Sequence, residues 1–279
     1  MKKSCAFVIP LHLKHFGYGY YIFNELKNTD TDLYFIFTDI NDKNIFISKL
    51  DSSELKYLIL SDFVDINLVS KINSFVSIKK LYALLTLYKN YDYISCIDSE
   101  IKILNKNNFY DIMDKIANSK IIAGGLLHER VSEINIVRES LLRLTDVMYH
   151  DKLTEISNNF RIYTWWSNLP VYNCQYVENF LKWINFNKDE NNIKKFCWHI
   201  FDDMTYNFYC VLFHDFKIIK IPECYHSLEF ANTKIVEYVD KNITKIYWVN
   251  NLAYNQNIEY YKNNDFKIVF HLDRWKNLH

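Results

Sequence analysis

Short apolar segments alternate with stretches of helical periodicity through the first half of the chain. Apolar runs rich in Val, Ile, Phe and Tyr predict strands at 6–10, 33–38, 55–60, 92–97 and 120–125. Apolar residues spaced three or four positions apart predict helices at 15–26, 77–88 and 109–117. Strands that alternate with helices favour a mostly parallel sheet covered by helices. We therefore predict an α/β fold in which 55–60 is an edge strand and Ser77 is the N-cap of the second helix.

A further helix and strand are predicted late in the chain. Two acids, Asp202 and Asp203, open an aromatic and apolar helix at 201–213, and a short strand follows that ends at Pro222. No repeat and no low-complexity linker divides the sequence. We therefore expect one domain over 1–279, in which 126–279 elaborates the sheet-forming half at 1–125.

Composition limits the partners of this chain. A length of 279 residues suits one large domain or two small ones. Because 33 basic residues balance 33 acidic ones, no electrostatic footprint for nucleic acid is present, and nucleic acid is not expected as a partner. No apolar run approaches the roughly 20 residues that span a bilayer, and residues 1–10 lack the apolar core of a signal peptide. We expect a cytoplasmic protein.

The six cysteines are expected to be buried or free thiols, because nothing indicates export. Cysteine and histidine also occur together late in the sequence, but their spacings match no structural zinc pattern. The cysteines are Cys5, Cys96, Cys174, Cys197, Cys210 and Cys224.

The most informative chemistry lies in the segment 91–104, where an apolar run ends in Asp98-Ser99-Glu100. Ligands of open parallel sheets bind beyond the carboxyl ends of the strands, and carboxylates are suitable ligands for Mg²⁺ or Mn²⁺. The chain has only four glycines and neither of the glycine-rich loops that cradle NAD or ATP phosphates. A diphosphate would therefore need a metal ion and basic side chains.

The Asp98-Ser99-Glu100 triplet resembles the D-x-D signature of the GT-A glycosyltransferases, which use nucleotide sugars. The resemblance extends to a helix with adjacent basic residues, Lys79 and Lys80, and to the Tyr-Asp-Tyr strand entry at 91–93. It implies a GT-A-like fold, a contact of Lys79 or Lys80 with the nucleotide or diphosphate, a contact of Asp98 with ribose or metal, and coordination of Mn²⁺ or Mg²⁺ by Glu100. Glu100 departs from the commoner Asp at this position.

The same resemblance assigns roles to residues outside the triplet. The turns after the first two strands would cup the base and ribose, and a late histidine, His226 with His271 behind it, would complete the metal shell. A carboxylate at the start of the late helix would be the general base, with Asp203 favoured over Asp202. The nucleotide-sugar set is then Pro10, Leu11, His12, Thr38, Asp39, Lys79, Lys80, Asp98 and Ser99.

Each of these residues also has an ordinary structural explanation. Asp39 precedes Asn41 and suits a turn, the two lysines suit a solvated helix start, and acids at a helix N-terminus favour its dipole by about 0.3–1 kcal/mol. A lone histidine is more often a surface residue than a ligand.

The resulting hypothesis is a metal-dependent hexosyltransferase that moves a sugar from a nucleotide diphosphate to a glycan or glycolipid hydroxyl. Inversion is favoured, and the fold resemblance by itself does not choose between inversion and retention. Residues 1–125 would bind the donor and 126–279 the acceptor. The composition, rich in Asn, Lys and Ile, suggests an AT-rich bacterial genome and a role in capsule or lipooligosaccharide synthesis. The only membrane contact expected is peripheral, at the cytoplasmic face of the inner membrane through a lipid-linked acceptor. The alternatives are a sugar nucleotidyltransferase and an inactive GT-A-like domain that binds glycan or protein.

Overall fold

The computed structural model describes residues 4–50, 54–69, 75–125, 131–159, 169–196, 200–221 and 268–270. The strands in this part of the chain are β1 (Cys5–Pro10), β2 (Asp32–Phe37), β3 (Lys56–Ile59), β4 (Tyr93–Cys96), β5 (Ile101–Ile103), β6 (Ile121–Gly125), β7 (Val171–Asn173), β8 (Lys217–Ile221) and β9 (Ile268–Phe270). The helices are α1 (Phe16–Leu26), α2 (Ile40–Ile47), α3 (Ile66–Val69), α4 (Phe75–Leu87), α5 (Phe109–Ser119), α6 (Val131–Leu144), α7 (His150–Asn159), α8 (Cys174–Trp183), α9 (Glu190–Lys195) and α10 (Asp202–Phe213).

The main sheet has five strands in the order β3-β2-β1-β4-β7. The first four strands are parallel, and β7 runs antiparallel to β4 at one edge. Two smaller pairs accompany it, β6 with β8 in parallel and β5 with β9 antiparallel. The predicted fold class, α/β with a mostly parallel central sheet flanked by helices, is confirmed, and β3 is the predicted edge strand.

Alternating residues of the central strands supply two apolar layers. On β1, Val8 joins the cluster formed with α4, α8 and α10, whereas Phe7 and Ile9 join the cluster formed with α1 and α5. Successive side chains of a strand point to opposite faces, so helices cover the sheet on both sides. A third cluster packs α6 and α7 against α10 through residues such as Leu153 and Phe208.

One local expectation is corrected. Ser77 is not an N-cap, because α4 already begins at Phe75 and the Ser77 hydroxyl lies within the helix, where it donates to the carbonyl of Ile200. The strand predicted at 92–97 is β4; the chain leaves the main sheet after it and resumes as β5, which pairs with β9. The acidic triplet therefore lies in a connection between two sheets.

Four cysteines can be placed, and all four are buried free thiols, as expected from the sequence. They are Cys5, Cys96, Cys174 and Cys210. Cys197 and Cys224 lie outside the described residues. Within the described part of the chain, none of the helices combines the length and apolarity needed to cross a membrane.

Candidate functional site

A cavity of about 820 Å³ opens at the carboxyl ends of β1 and β4. This volume lies within the range of about 300–1,000 Å³ typical of small-molecule sites. It is also the position at which an open parallel sheet binds its ligands. Its lining residues are Pro10, His12, Leu13, Lys14, His15, Val76, Ser77, Lys80, Asp98, Ser99, Glu100, Pro170, Ile200, Phe201, Asp202 and Asp203.

The acidic triplet reaches the cavity because the chain follows the sheet for one residue beyond the end of β4 and then turns away. The amide of Ile97 still donates to the carbonyl of Val8 at 3.0 Å, and the next three residues all face the cavity. Glu100 is nearly buried, and its Oε1 lies 2.7 Å from His15 Nδ1. The Ser99 hydroxyl is 3.2 Å from the other oxygen of Glu100 and 3.1 Å from the same histidine nitrogen.

Two histidines on the cavity wall come from the connection between β1 and α1. Sequence reasoning included His12 but missed His15 as a site residue. The signal in the sequence was the spacing of the two histidines, because residues three positions apart on a helical turn lie on the same side. Their ring centroids lie 6.2 Å apart. Burial, reinforced by the charge of Lys79, lowers the pKa of His12 to about 4, so this ring is neutral at pH 7.

Lys80 joins the two acidic regions of the cavity. Its Nζ lies 2.9 Å from Asp98 Oδ1 and 3.8 Å from Asp202 Oδ1, and only 6% of the residue is exposed. Burial opposes the charge of this lysine, but the attraction of Asp202 and then Asp98 outweighs burial and raises the pKa of Lys80. A permanent positive charge is therefore held between carboxylates that are distant in the sequence.

The two acids that open α10 have different surroundings. Asp202 is buried, and its second oxygen accepts a hydrogen bond of 2.5 Å from the Tyr172 hydroxyl, so Lys80 and Tyr172 engage both of its oxygens. Asp203 lines the main cavity and also a second cavity of about 30 Å³. Burial, and then the negative charge of Asp202, raise the pKa of Asp203 to about 7 against the opposing effect of Lys80.

Some members of the predicted nucleotide-sugar set are not among the described residues that line the cavity. Asp39 caps α2, where its carboxylate accepts from the amides of Asn41 and Asp42. Lys79 is entirely buried and contacts the loops after β1 and β2. The residues outside the cavity lining are Leu11, Thr38, Asp39 and Lys79, whereas Pro10, His12, Lys80, Asp98 and Ser99 belong to it.

The donor set can be compared with what a metal ion requires. Among the described residues, no three His, Cys, Asp or Glu side chains form a cluster that could hold a metal. Mg²⁺, however, is usually bound through one or two carboxylates together with substrate phosphates and water, and Asp98 and Glu100 offer two carboxylates to one cavity. These two side chains fit such a partial ligand set. The predicted third ligand, His226, and its substitute, His271, lie outside the described residues.

Replacing Lys80 with methionine should lower the free energy of unfolding. Asp98 and Asp202 would then lie in a mostly buried place without the cation that balances their charges. Breaking a fully buried pair costs roughly 3–5 kcal/mol, and because the Asp98 side chain is 27% exposed we expect about 2 kcal/mol here. Denaturant unfolding at pH 7 measures the change.

Two further variants make this test specific. Lys182→Met removes an exposed lysine that pairs with Glu178 on α8, and should leave stability unchanged, because solvent screens an exposed pair. Combining Lys80→Met with Asp202→Asn should restore part of the loss, because one uncompensated charge is gone. A single variant as stable as the wild type would contradict the role of Lys80 as the cation of this network.

Comparison with solved structures gives a distant likeness. The chain is similar to the solved structure of the mannosyltransferase Ktr4p from S. cerevisiae, with 13% sequence identity and a TM-score of 0.38 over 72% of this chain and 64% of that chain. The complex of the same yeast protein with GDP gives 12% identity and a TM-score of 0.35 over 74% of this chain and 63% of that one. The chain thus spans less than two thirds of the length of these structures. No protein-family model matches the chain, and no curated protein matches it.

Proposed function

We propose that this chain is a glycosyltransferase of the GT-A type that transfers a sugar from a nucleotide diphosphate to a hydroxyl of an acceptor glycan or glycolipid. The observation that carries the proposal is one cavity that combines the triplet Asp98-Ser99-Glu100 with Asp203 and with the buried cation Lys80, which pairs with Asp98 and Asp202. A donor with a negatively charged diphosphate requires groups that bind phosphate or its metal ion, and an acceptor that must lose a proton requires a base. Both kinds of group must lie in one cavity.

The diphosphate of the donor would occupy the end of the cavity formed by the triplet. Lys80 supplies a positive charge there, and Asp98 and Glu100 would hold Mg²⁺ or Mn²⁺ together with phosphate oxygens and water. When bound, the ion neutralises charge on the departing diphosphate. His12 is neutral and offers hydrogen bonding and ring contact without adding charge.

Asp203 is the proposed general base. In an inverting reaction the acceptor hydroxyl oxygen forms a bond to the anomeric carbon, the bond from that carbon to the diphosphate oxygen breaks, and the hydroxyl proton passes to the carboxylate of Asp203. A base with a pKa near the working pH is the most effective, and the pKa of Asp203 is about 7. Asp202 is less suited to this role, because Lys80 and Tyr172 engage its oxygens.

The biological setting is proposed from composition alone. A chain rich in Asn, Lys and Ile fits an AT-rich bacterial genome, and the acceptor is proposed to be a capsule or lipooligosaccharide precursor. Residues 126–279 are proposed to bind this acceptor, and the enzyme would then work at the cytoplasmic face of the inner membrane.

The test is transfer by the purified chain from a panel of UDP- and GDP-sugars to simple glycoside acceptors, with Mn²⁺, with Mg²⁺ and with EDTA. Formation of a glycosidic product from one donor class, lost with EDTA, supports the proposal. Release of pyrophosphate from a nucleoside triphosphate and a sugar phosphate would identify a sugar nucleotidyltransferase instead. Glycan binding without any product from any donor would identify an inactive GT-A-like binding domain.

A further inference from the structure

A fully buried lysine lies next to the cavity and is not used by the proposed mechanism. Lys79 on α4 has 0% exposure, whereas its neighbour Lys80 faces the cavity. The Lys79 ammonium donates to the carbonyl of Leu11 at 2.7 Å and to the hydroxyl of Thr38 at 3.1 Å. One side chain from a helix therefore holds two loops of the sheet.

Both loops lie at the carboxyl end of the sheet. Leu11 follows β1 and Thr38 follows β2, and the Leu11 amide continues the strand pairing by donating to Ile36 at 3.0 Å. The residue after Leu11 is His12, which forms part of the cavity wall. Lys79 thus holds the backbone carbonyl of the residue that precedes His12.

Lys79 also supports His12 from a second direction. Its Nζ lies 5.1 Å from the centroid of the Phe75 ring, within the range of a cation–π contact. The Phe75 ring is tilted by 30° against the His12 ring, with centroids 5.7 Å apart. Lys79 therefore contacts both the residue that precedes His12 and the ring that packs against it.

Stability alone does not explain a lysine in this place. Burial lowers the pKa of Lys79 to about 7, although Asp42 and Asp39 oppose this effect. Burying an ammonium carries a desolvation cost that an apolar side chain of similar volume would not carry. What an apolar side chain cannot do is join Leu11 to Thr38 by hydrogen bonds.

We propose that Lys79 is a positioning residue for the nucleoside end of the donor site, which sets the distance between the β1 and β2 loops and the orientation of His12. The inference rests on the proposed function, because it assigns the nucleoside of a nucleotide-sugar donor to the cavity wall at His12. The diphosphate is proposed to bind to Lys80 and the acidic triplet, which line the same cavity.

The test compares two probes in the presence of Mn²⁺, a nucleoside diphosphate (UDP or GDP, whichever the wild type binds) and inorganic pyrophosphate. Lys79→Met keeps the length and packing of the side chain but donates no hydrogen bond. By calorimetry its affinity for the nucleoside diphosphate should fall about tenfold, as expected for one strong hydrogen-bond network, while its affinity for pyrophosphate stays unchanged. In transfer assays the KM for the donor should rise and kcat should stay unchanged.

Two other variants keep the test decisive. Lys27→Met removes an exposed lysine that also lies over a ring, Phe23, and should leave both affinities unchanged. If Lys79→Met does not fold, Thr38→Val removes a single acceptor of Lys79 and should produce a smaller loss, again confined to the nucleoside diphosphate.

Equal losses for both probes, or no loss for either, would overturn the inference and leave the proposed function standing. A wild-type protein that binds neither UDP, GDP nor pyrophosphate would overturn the inference together with the proposed function. A loss confined to the nucleoside diphosphate is the result that supports it.

Discussion

Replacing Asp203 with asparagine should lower sugar transfer by about 100-fold or more, the contribution of a positioned general base. Asparagine keeps the shape of the side chain but cannot accept the proton of the acceptor hydroxyl. Nucleotide binding should survive, because Lys80 and the acidic triplet are unchanged. Initial rates of transfer and calorimetric binding of UDP or GDP measure the two effects separately.

The pH profile of the wild type provides a second check on Asp203. The base acts in its deprotonated form and its pKa is about 7, so kcat/KM should fall about tenfold for each pH unit below 7 and become constant above it. The pKa of this carboxyl is raised in the folded protein. Its ionisation therefore lowers the free energy of unfolding as the pH rises above the ordinary pKa of an aspartate. The asparagine variant should consequently be no less stable than the wild type at pH 8.

A matched control is Asp111→Asn, which changes an exposed acid in the first turn of α5 and should leave transfer unchanged. If Asp203→Asn transfers sugar at the wild-type rate, Asp203 is not the base, and Asp202→Asn then tests the second acid. Wild-type rates for both variants would mean that the base lies elsewhere or that the enzyme retains configuration.

Replacing Asp98 with asparagine and Glu100 with glutamine should each remove metal-dependent nucleotide binding while the fold persists. Both carboxylates face the cavity at the carboxyl end of β4, and a neutral amide is a much weaker ligand for Mg²⁺ or Mn²⁺ than a carboxylate. We expect the affinity for UDP or GDP with Mn²⁺ to fall by about 100-fold, equivalent to about 2.7 kcal/mol. Calorimetry with and without Mn²⁺ measures the effect.

The two variants should also differ in the contact that each removes within the protein. Asp98→Asn removes a charge that Lys80 faces at 2.9 Å, and Glu100→Gln removes the carboxylate that His15 contacts at 2.7 Å. The control Glu139→Gln changes an exposed acid on α6 and should bind nucleotide as the wild type does. Normal Mn²⁺-dependent binding of UDP or GDP by both site variants would exclude the triplet as the metal site.

The sequence was most informative where structure is local. The period of the apolar residues located the strands that became β1, β2, β3, β4 and β6, and the helices that became α1, α4, α5 and α10, within a few residues. Helix starts were harder, as Ser77 shows, because its hydroxyl contacts Ile200, a residue far away in the chain. Between 126 and 200 the sequence predicted no elements, and the structure has α6, α7, β7, α8 and α9 there.

For the candidate site, the sequence by itself determined which chemistry is available. The order of residues shows an acidic triplet after an apolar strand, a helix with two adjacent lysines and a helix that opens with two acids. These elements can be recognised because local backbone geometry sets the periods of helix and strand. The sequence could not distinguish Lys79 from Lys80, because adjacent residues share the same local pattern, and it favoured Asp203 over Asp202 only through the family resemblance.

Only the tertiary structure decided how these groups are arranged. It places Lys80 between Asp98 and Asp202, brings His15 to Glu100, and directs Lys79 away from the cavity lining toward Leu11 and Thr38. The physical reason is that contacts, burial and pKa values depend on neighbours that are close in space and distant in the chain. Asp203 illustrates it: burial and the charge of Asp202 raise its pKa to about 7, and this burial comes from strands and helices that the local sequence around Asp203 does not contain.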